Sequence, residues 1–302
     1  MLDSTCFLSS IITKISKQVS EKKVKSCIVV PVYKKISDAC EILSLKQGLK
    51  VFQSHPIIFI CPHSFKSEWL DEYKNLHPNI NFKQFDDNFF KSTLSYNRLL
   101  LSADFYEKFY EYEFMLIYQT DSYVFEDHLN YWCNQGFDYI GAPWFRKFDT
   151  SGKEKEFIEN AGNGGFSLRN ITKINNLMQR KLTFIQMINL RNILAKSRIK
   201  SNKNIIFTIR FFTSFFSKNS SFSKVCDYIC KNATPPNEDY FLAATFPKIF
   251  PEFKVAKSFE AIAFSFEAQP ENLYKMNGEK LPFGCHAFAK YSPEFWKKFI
   301  NF

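Results

Sequence analysis

Three continuous apolar runs, spaced by stretches of helical periodicity, limit what this chain can fold into. They are Ser26–Tyr33 (Ser-Cys-Ile-Val-Val-Pro-Val-Tyr), Pro56–Cys61 (Pro-Ile-Ile-Phe-Ile-Cys) and Phe114–Tyr118 (Phe-Met-Leu-Ile-Tyr). A strand that is apolar on both faces must be covered on both faces, the pattern of parallel strands between helix layers. Between the runs, Asp38–Val51 places Ile42, Leu43, Leu45 and Leu49 on one helical face, and Ser95–Phe109 carries Leu99, Leu100, Leu101 and Phe105. Ser67–Asn75 reads as another helix and Ile80–Phe85 as another strand. The alternation predicts a doubly wound, Rossmann-like α/β sheet. No Gly-x-Gly-x-x-Gly follows the first run, so a dinucleotide cofactor site is not supported. Residues 1–23 read as an N-terminal extension and 24–302 as one domain, long enough to bury a large core. After about residue 135 the character changes: 135–170 is loop-rich, 171–225 helical and basic, and 255–302 mixes short strands with a helix over Pro293–Phe302.

Glycine is scarce, with nine in 302 residues, yet six fall between Gly136 and Gly165. Gly162, Gly164 and Gly165 flank Asn163 in Asn-Ala-Gly-Asn-Gly-Gly-Phe. Such clustering marks either a tight turn or a loop whose backbone comes close to something, and a ligand loop is the expectation here.

The net charge of +10 is uneven. From Asn160 to Cys226 there is no Asp or Glu but twelve Lys or Arg, so the rest of the chain is slightly acidic. An insertion at about 181–226 combines this charge with Ile205, Phe207, Phe211, Phe212, Phe215 and Phe216. That mixture suits an anionic membrane surface on which the protein sits peripherally, or an ordinary solvated basic face. Nucleic acid is disfavoured as a partner, since no nucleic-acid-binding motif is visible. The eight cysteines are scattered, with no Cys-x-x-Cys pair, and Cys27 and Cys61 sit inside strand-like runs. Scattered thiols and the absence of a signal-peptide pattern point to a cytoplasmic setting.

Four acidic or basic residues attract attention by their placement. Asp121 follows a buried strand directly, where open α/β sheets bind their ligands, although a strand-end cap is the other reading. Glu238 and Asp239 come just after Pro235-Pro236; Asp239 is a candidate general base or a first-turn helix acid. His286, in Leu-Pro-Phe-Gly-Cys-His-Ala-Phe, is either a ligand-binding or a core histidine.

In order, these motifs resemble those of glycosyltransferases of the GT-A fold. Val29-Val30-Pro31-Val32-Tyr33 looks like their first strand and nucleotide-base loop, and Tyr96-Asn97-Arg98-Leu99-Leu100-Leu101 like the helix with a nucleotide-contacting Arg. Thr120-Asp121-Ser122-Tyr123-Val124-Phe125 resembles the metal motif of fringe-like β-1,3-glycosyltransferases, Gly162–Phe166 their acceptor-side loop and Asn237-Glu238-Asp239 their Glu-Asp motif. Across about 25–300, including Tyr139-Ile140-Gly141-Ala142-Pro143-Trp144, the chain looks closest to glycosyltransferase-like domains classed as of unknown function. The resemblance implies a mixed, mostly parallel sheet flanked by helices and transfer of a sugar from a nucleotide-diphosphate donor to a glycan or lipid-linked hydroxyl, with inversion. It implies Asp239 as base and Glu238 as its positioning partner. Pro31, Val32, Tyr33, Arg98, Asp121, Tyr123, Asn163, Gly164 and Gly165 would line the donor. Asp121 and His286 would hold Mn²⁺ or Mg²⁺. Tyr123 stands where the metal motif has a second acid, which weakens the metal site; Asp127 is a substitute if the chain turns back, and Arg98 or Arg169 would otherwise supply positive charge. That departure leaves a non-catalytic sugar-nucleotide or glycan-binding domain, or a membrane-surface adaptor, as the alternatives.

Overall fold

A computed structural model describes residues 25–77, 79–145, 157–160, 162–196, 221–232 and 237–302. The extension 1–23, Pro235, Pro236 and most of the basic Phe-rich insertion, 197–220, lie outside the described residues.

The main sheet contains β1 (Ser26–Pro31), β2 (Ile57–Pro62), β3 (Ile80–Phe85), β4 (Phe114–Tyr118), β6 (Tyr139–Ile140) and β7 (Phe166–Asn170), in the order β3-β2-β1-β4-β7-β6. The first four strands run parallel, with Ile28 opposite Ile57 and Leu116. Strands β7 and β6 then join antiparallel, with Tyr118 opposite Phe166 and Tyr139 opposite Arg169. The mixed, mostly parallel α/β sheet expected from the sequence is what the structure shows. A second, small sheet packs β9 (Gly284–His286) between β5 (Ser122–Val124) and β8 (Ser265–Phe266).

Alternation along the strands divides the core. Cys27, Val29, Ile58, Ile60, Met115 and Ile117 face one helix layer. Ile28, Val30, Ile57, Phe59, Phe114 and Leu116 face the other, which includes helix Ala39–Val51. Side chains such as Phe59 are wholly buried, and truncating one to Ala costs about 3–5 kcal/mol. Helix Ala39–Val51 starts where Asp38 accepts hydrogen bonds from the Cys40 and Glu41 amides. The predicted helix Ser95–Phe109 is instead two, Thr93–Leu100 and Ala103–Glu107. Ser102 causes the break, its hydroxyl accepting the Phe105 N–H as a new N-cap. The terminal helix is shorter than expected, covering only Pro293–Trp296. Cys27 and Cys61 are buried free thiols. Among the described residues no helix is long and apolar enough to cross a membrane.

Candidate functional site

The order β2-β1-β4 places the carboxyl ends of β1 and β4 side by side, beyond which ligands of open α/β sheets bind. Pro31, Val32 and Tyr33 occupy the end of β1, with Tyr33 56% exposed. Beyond β4, Gln119 donates its amide to the Gly165 carbonyl at 2.9 Å and the Ser122 hydroxyl donates to the same oxygen at 3.1 Å. These bonds seat the glycine loop directly on the turn that carries Asp121.

The loop is bare so that side chains can press on it. A Cβ on Gly165 would lie 2.1 Å from His286 Nε2, and one on Gly164 would lie 2.5 Å from Glu238 Oε1. The close approach expected from the glycine clustering is therefore made, within this structure, by two of the candidate site residues themselves.

On the Gly165 side, His286 bridges two carboxylates. Its Nδ1 lies 2.9 Å from Glu267 Oε1 and its Nε2 lies 3.2 Å from Asp121 Oδ1 and 3.3 Å from Gln119 Oε1. Both ring nitrogens face oxygen acceptors, and only the imidazolium can donate from both. Burial works against that charge, but the hydrogen bonds to Asp121 and Glu267 outweigh it and raise His286 to about 10. Burial would lift the Asp121 carboxyl; the His286 hydrogen bond and charge instead hold it below the usual carboxylate range. Asn163 ties this group to the loop, donating to Glu267 Oε1 at 2.7 Å while accepting the Gly165 amide at 3.0 Å. Register explains the meeting, since Ser122 on β5 pairs with His286 on β9.

On the Gly164 side, Arg169 of β7 is completely buried and donates to Glu238 Oε1 at 2.9 Å, to the Ser167 hydroxyl at 3.1 Å and to the Tyr106 hydroxyl at 3.4 Å. Asp239 follows, half-buried, and accepts the Gly164 amide at 3.2 Å. Burial first, and the Glu238 charge second, push its carboxyl up to about 7. The one-turn helix Glu238–Tyr240 runs straight into a π turn, Phe241–Thr245. Such turns are frequent at functional sites. Tyr240 is 42% exposed and stacks on Trp144, with ring centroids 6.1 Å apart and planes at 28°. The two rings make an aromatic floor beside Asp239.

Not every expected residue converges here. Tyr123 packs against Phe125 and Phe288 in the core of the small sheet, at 5.3 and 5.9 Å between centroids. Asp127 does not join Asp121; it lies 3.0 Å from His55 Nε2, just ahead of β2. Arg98 lies near Cys230 of helix Phe222–Asn232, where its charge acts on that thiol. The residues of its helix that approach the acidic turn are Asn97, which donates to Asn237 Oδ1 at 3.3 Å, and Tyr96, whose hydroxyl feels the charges of Glu238 and Arg169. Glu267 and Gln119 are additions that no sequence pattern singled out.

A divalent cation finds limited support. Among the described residues no three His, Cys, Asp or Glu side chains converge as a metal site. Asp121 Oδ1, His286 Nε2 and the Gln119 amide oxygen do cluster, with the Asp121 side chain 52% exposed. That set fits an ion that takes most of its ligands from phosphate and water.

Solved structures similar to this chain include three sugar-transferring proteins. Core-mannan synthase A of Aspergillus fumigatus, in its Mn/GDP form, is 11% identical, has a TM-score of 0.34 and covers 43% of this chain and 45% of that one. The apo glycosyltransferase GlyE of Streptococcus pneumoniae is 10% identical, with a TM-score of 0.42 over 88% of this chain and 55% of that one. Apo xyloside xylosyltransferase 1 of mouse is 9% identical, with a TM-score of 0.41 over 87% and 98%. The chain spans about half the length of the first two. TM-scores this low carry no argument about activity. No curated protein matches the chain. One family model matches more than half of it, residues 79–286, under the description "Protein of unknown function (DUF5672)", and the chain belongs to that family.

Proposed function

We propose that this protein is an inverting glycosyltransferase of GT-A type that moves a sugar from a nucleotide-diphosphate donor to a hydroxyl of a glycan or lipid-linked glycan. The observation that carries the reading is Asp239: a carboxyl raised to about 7, held by the Gly164 amide beside an exposed aromatic floor, at the ligand end of the sheet. A carboxyl at that value is about half ionised at neutral pH and basic enough to take a proton from a hydroxyl.

In this reading the acceptor sugar stacks on Trp144 and Tyr240, and its hydroxyl lies against Asp239. The oxygen attacks the anomeric carbon; its proton passes to Asp239 while the bond to the diphosphate breaks and the electron pair leaves with the phosphate. One base acting on one face gives inversion. Glu238 keeps Asp239 raised and is itself fixed by Arg169. Pro31, Val32, Tyr33 and the Asn163–Gly165 loop border the donor. Positive charge for the leaving group comes from the His286 imidazolium and from exposed Lys290, whose charge acts on Asp121. Mn²⁺ or Mg²⁺, where bound, would take the place of the His286 proton: Asp121 and the neutral His286 ring, oriented by Glu267, would hold it, and it would neutralise diphosphate charge instead of the imidazolium.

A panel of sugar nucleotides, with and without Mn²⁺, tests this by thermal stabilisation and nucleotide-diphosphate release. One donor should raise Tm and turn over. Asp239→Asn should keep the Tm shift and lose about 10²–10⁴-fold in turnover. Because Asp239 acts ionised, kcat/KM should rise about tenfold per pH unit below 7 and level off above it. No donor shift, or a fully active Asp239→Asn, refutes the reading.

A further inference from the structure

We propose that the opposite end of the molecule holds a second binding site, for a neutral oligosaccharide. A cavity of about 1190 Å³ opens where Ser26, Pro56 and Tyr112 lead into β1, β2 and β4. The candidate transfer site lies beyond the other ends of these strands, and a six-residue strand spans roughly 20 Å. The volume exceeds the ~300–1,000 Å³ of pockets that take a single drug-sized ligand, so a chain of several sugars suits it better than one.

Two kinds of chemistry line the cavity. Tyr131, Phe259, Tyr274 and Phe299 contribute rings that are only partly covered. The rings of Tyr274 and Phe299 lie 5.5 Å apart at 44°. Partly covered rings of this kind pack against the C–H faces of sugars. Around them stand paired acids and bases: His55 Nε2 is 3.0 Å from Asp127 Oδ2, and His128 Nε2 is 3.2 Å from Glu126 Oε2. Glu260 and Glu279 face the same space as Lys25 and Lys280. Such pairs offer donors and acceptors together, as hydroxyl groups require. The four acids disfavour a phosphorylated ligand, and the charged groups disfavour an acyl chain. The inference stands on this cavity and does not need the transfer reading.

Saturation-transfer NMR on the full chain, with maltohexaose, cellohexaose and chitohexaose as probes, tests the proposal. At least one should give signal. Tyr274→Ala, Phe299→Ala and Ala263→Phe, which narrows the cavity from its wall, should each bind at least tenfold more weakly. Asp239→Asn should bind like the unaltered protein. Signal from none of the three saccharides overturns the proposal. So does signal that persists in all three cavity variants, or that vanishes in Asp239→Asn, which would place the saccharide at the transfer site. Phe299 is 36% exposed, so its variant keeps the test readable should another fail to fold.

Discussion

Two charge clusters meet on adjacent glycines and differ in how water reaches them. Arg169–Glu238, against Gly164, is sealed, with side chains 0% and 7% exposed. Asp121–His286–Glu267, against Gly165, opens through Asp121, which is 52% exposed. A sealed pair is costly to desolvate and more costly to break, so its role is to fix shape and field around Asp239. An open one stays exchangeable with solvent and hence with a ligand.

Breaking the sealed pair should have the larger effect on folding. Arg169→Met leaves Glu238 buried without its partner and should cost about 3–5 kcal/mol, read as a fall in Tm by calorimetry. Arg169 also helps hold the Asp239 carboxyl down, so in that variant the rise of kcat/KM should move to higher pH. A fall in Tm as small as that of an exposed ion-pair mutant would erase the contrast. Next comes the loop between the clusters. Gly165→Ala puts a methyl on His286 Nε2 and should cost about 1–3 kcal/mol, with a displaced His286 ring signal in the NMR spectrum. The open cluster contributes through pH, with the Asp121 part reduced because solvent screens that side chain. His286 is raised from about 6.5 to about 10. The stability it contributes is therefore fully present below pH 6.5 and is lost as pH rises through 10. Tm should drift down across that window, and His286→Gln should flatten the drift.

The two clusters were unequally legible in the sequence. Local patterns announce their own elements: β1, β2 and β4 are unbroken apolar runs, and Asp121 stands at the end of one. The glycine cluster beside Asn163 likewise signals close packing without saying against what. Arg169 and Glu238 were both visible as charged positions, one a candidate electrostatic stabiliser and the other a helper of the base. Their pairing spans 69 residues and is fixed only by β7 lying antiparallel to β4. Glu267 gave no signal, because a lone acid between Phe266 and Ala268 has no periodic partner; the β8-β9 pairing alone brings it to His286. Arg98 marks where a local pattern stops being informative. Its helix was found, but the Ser92 capping box and the break at Ser102 set a rotation in which Asn97, not Arg98, bonds to the acidic turn.

The π turn at Phe241–Thr245 has a consequence for how the acidic pair is aimed. A π turn takes up one residue more than α geometry would use, and each helical residue corresponds to about 100° of rotation. The core behind it is anchored by Phe246, Ile249 and Phe250, all buried. Winding the same five residues as α would swing Glu238 and Asp239 about 100° around the axis, away from Arg169 and Gly164, whereas losing one residue along with the π turn would leave them facing nearly as they do. The orientation of the proposed base is thus stored in how 241–245 is wound: closing the turn to α at constant length re-aims the pair, while losing the extra residue together with the turn does not.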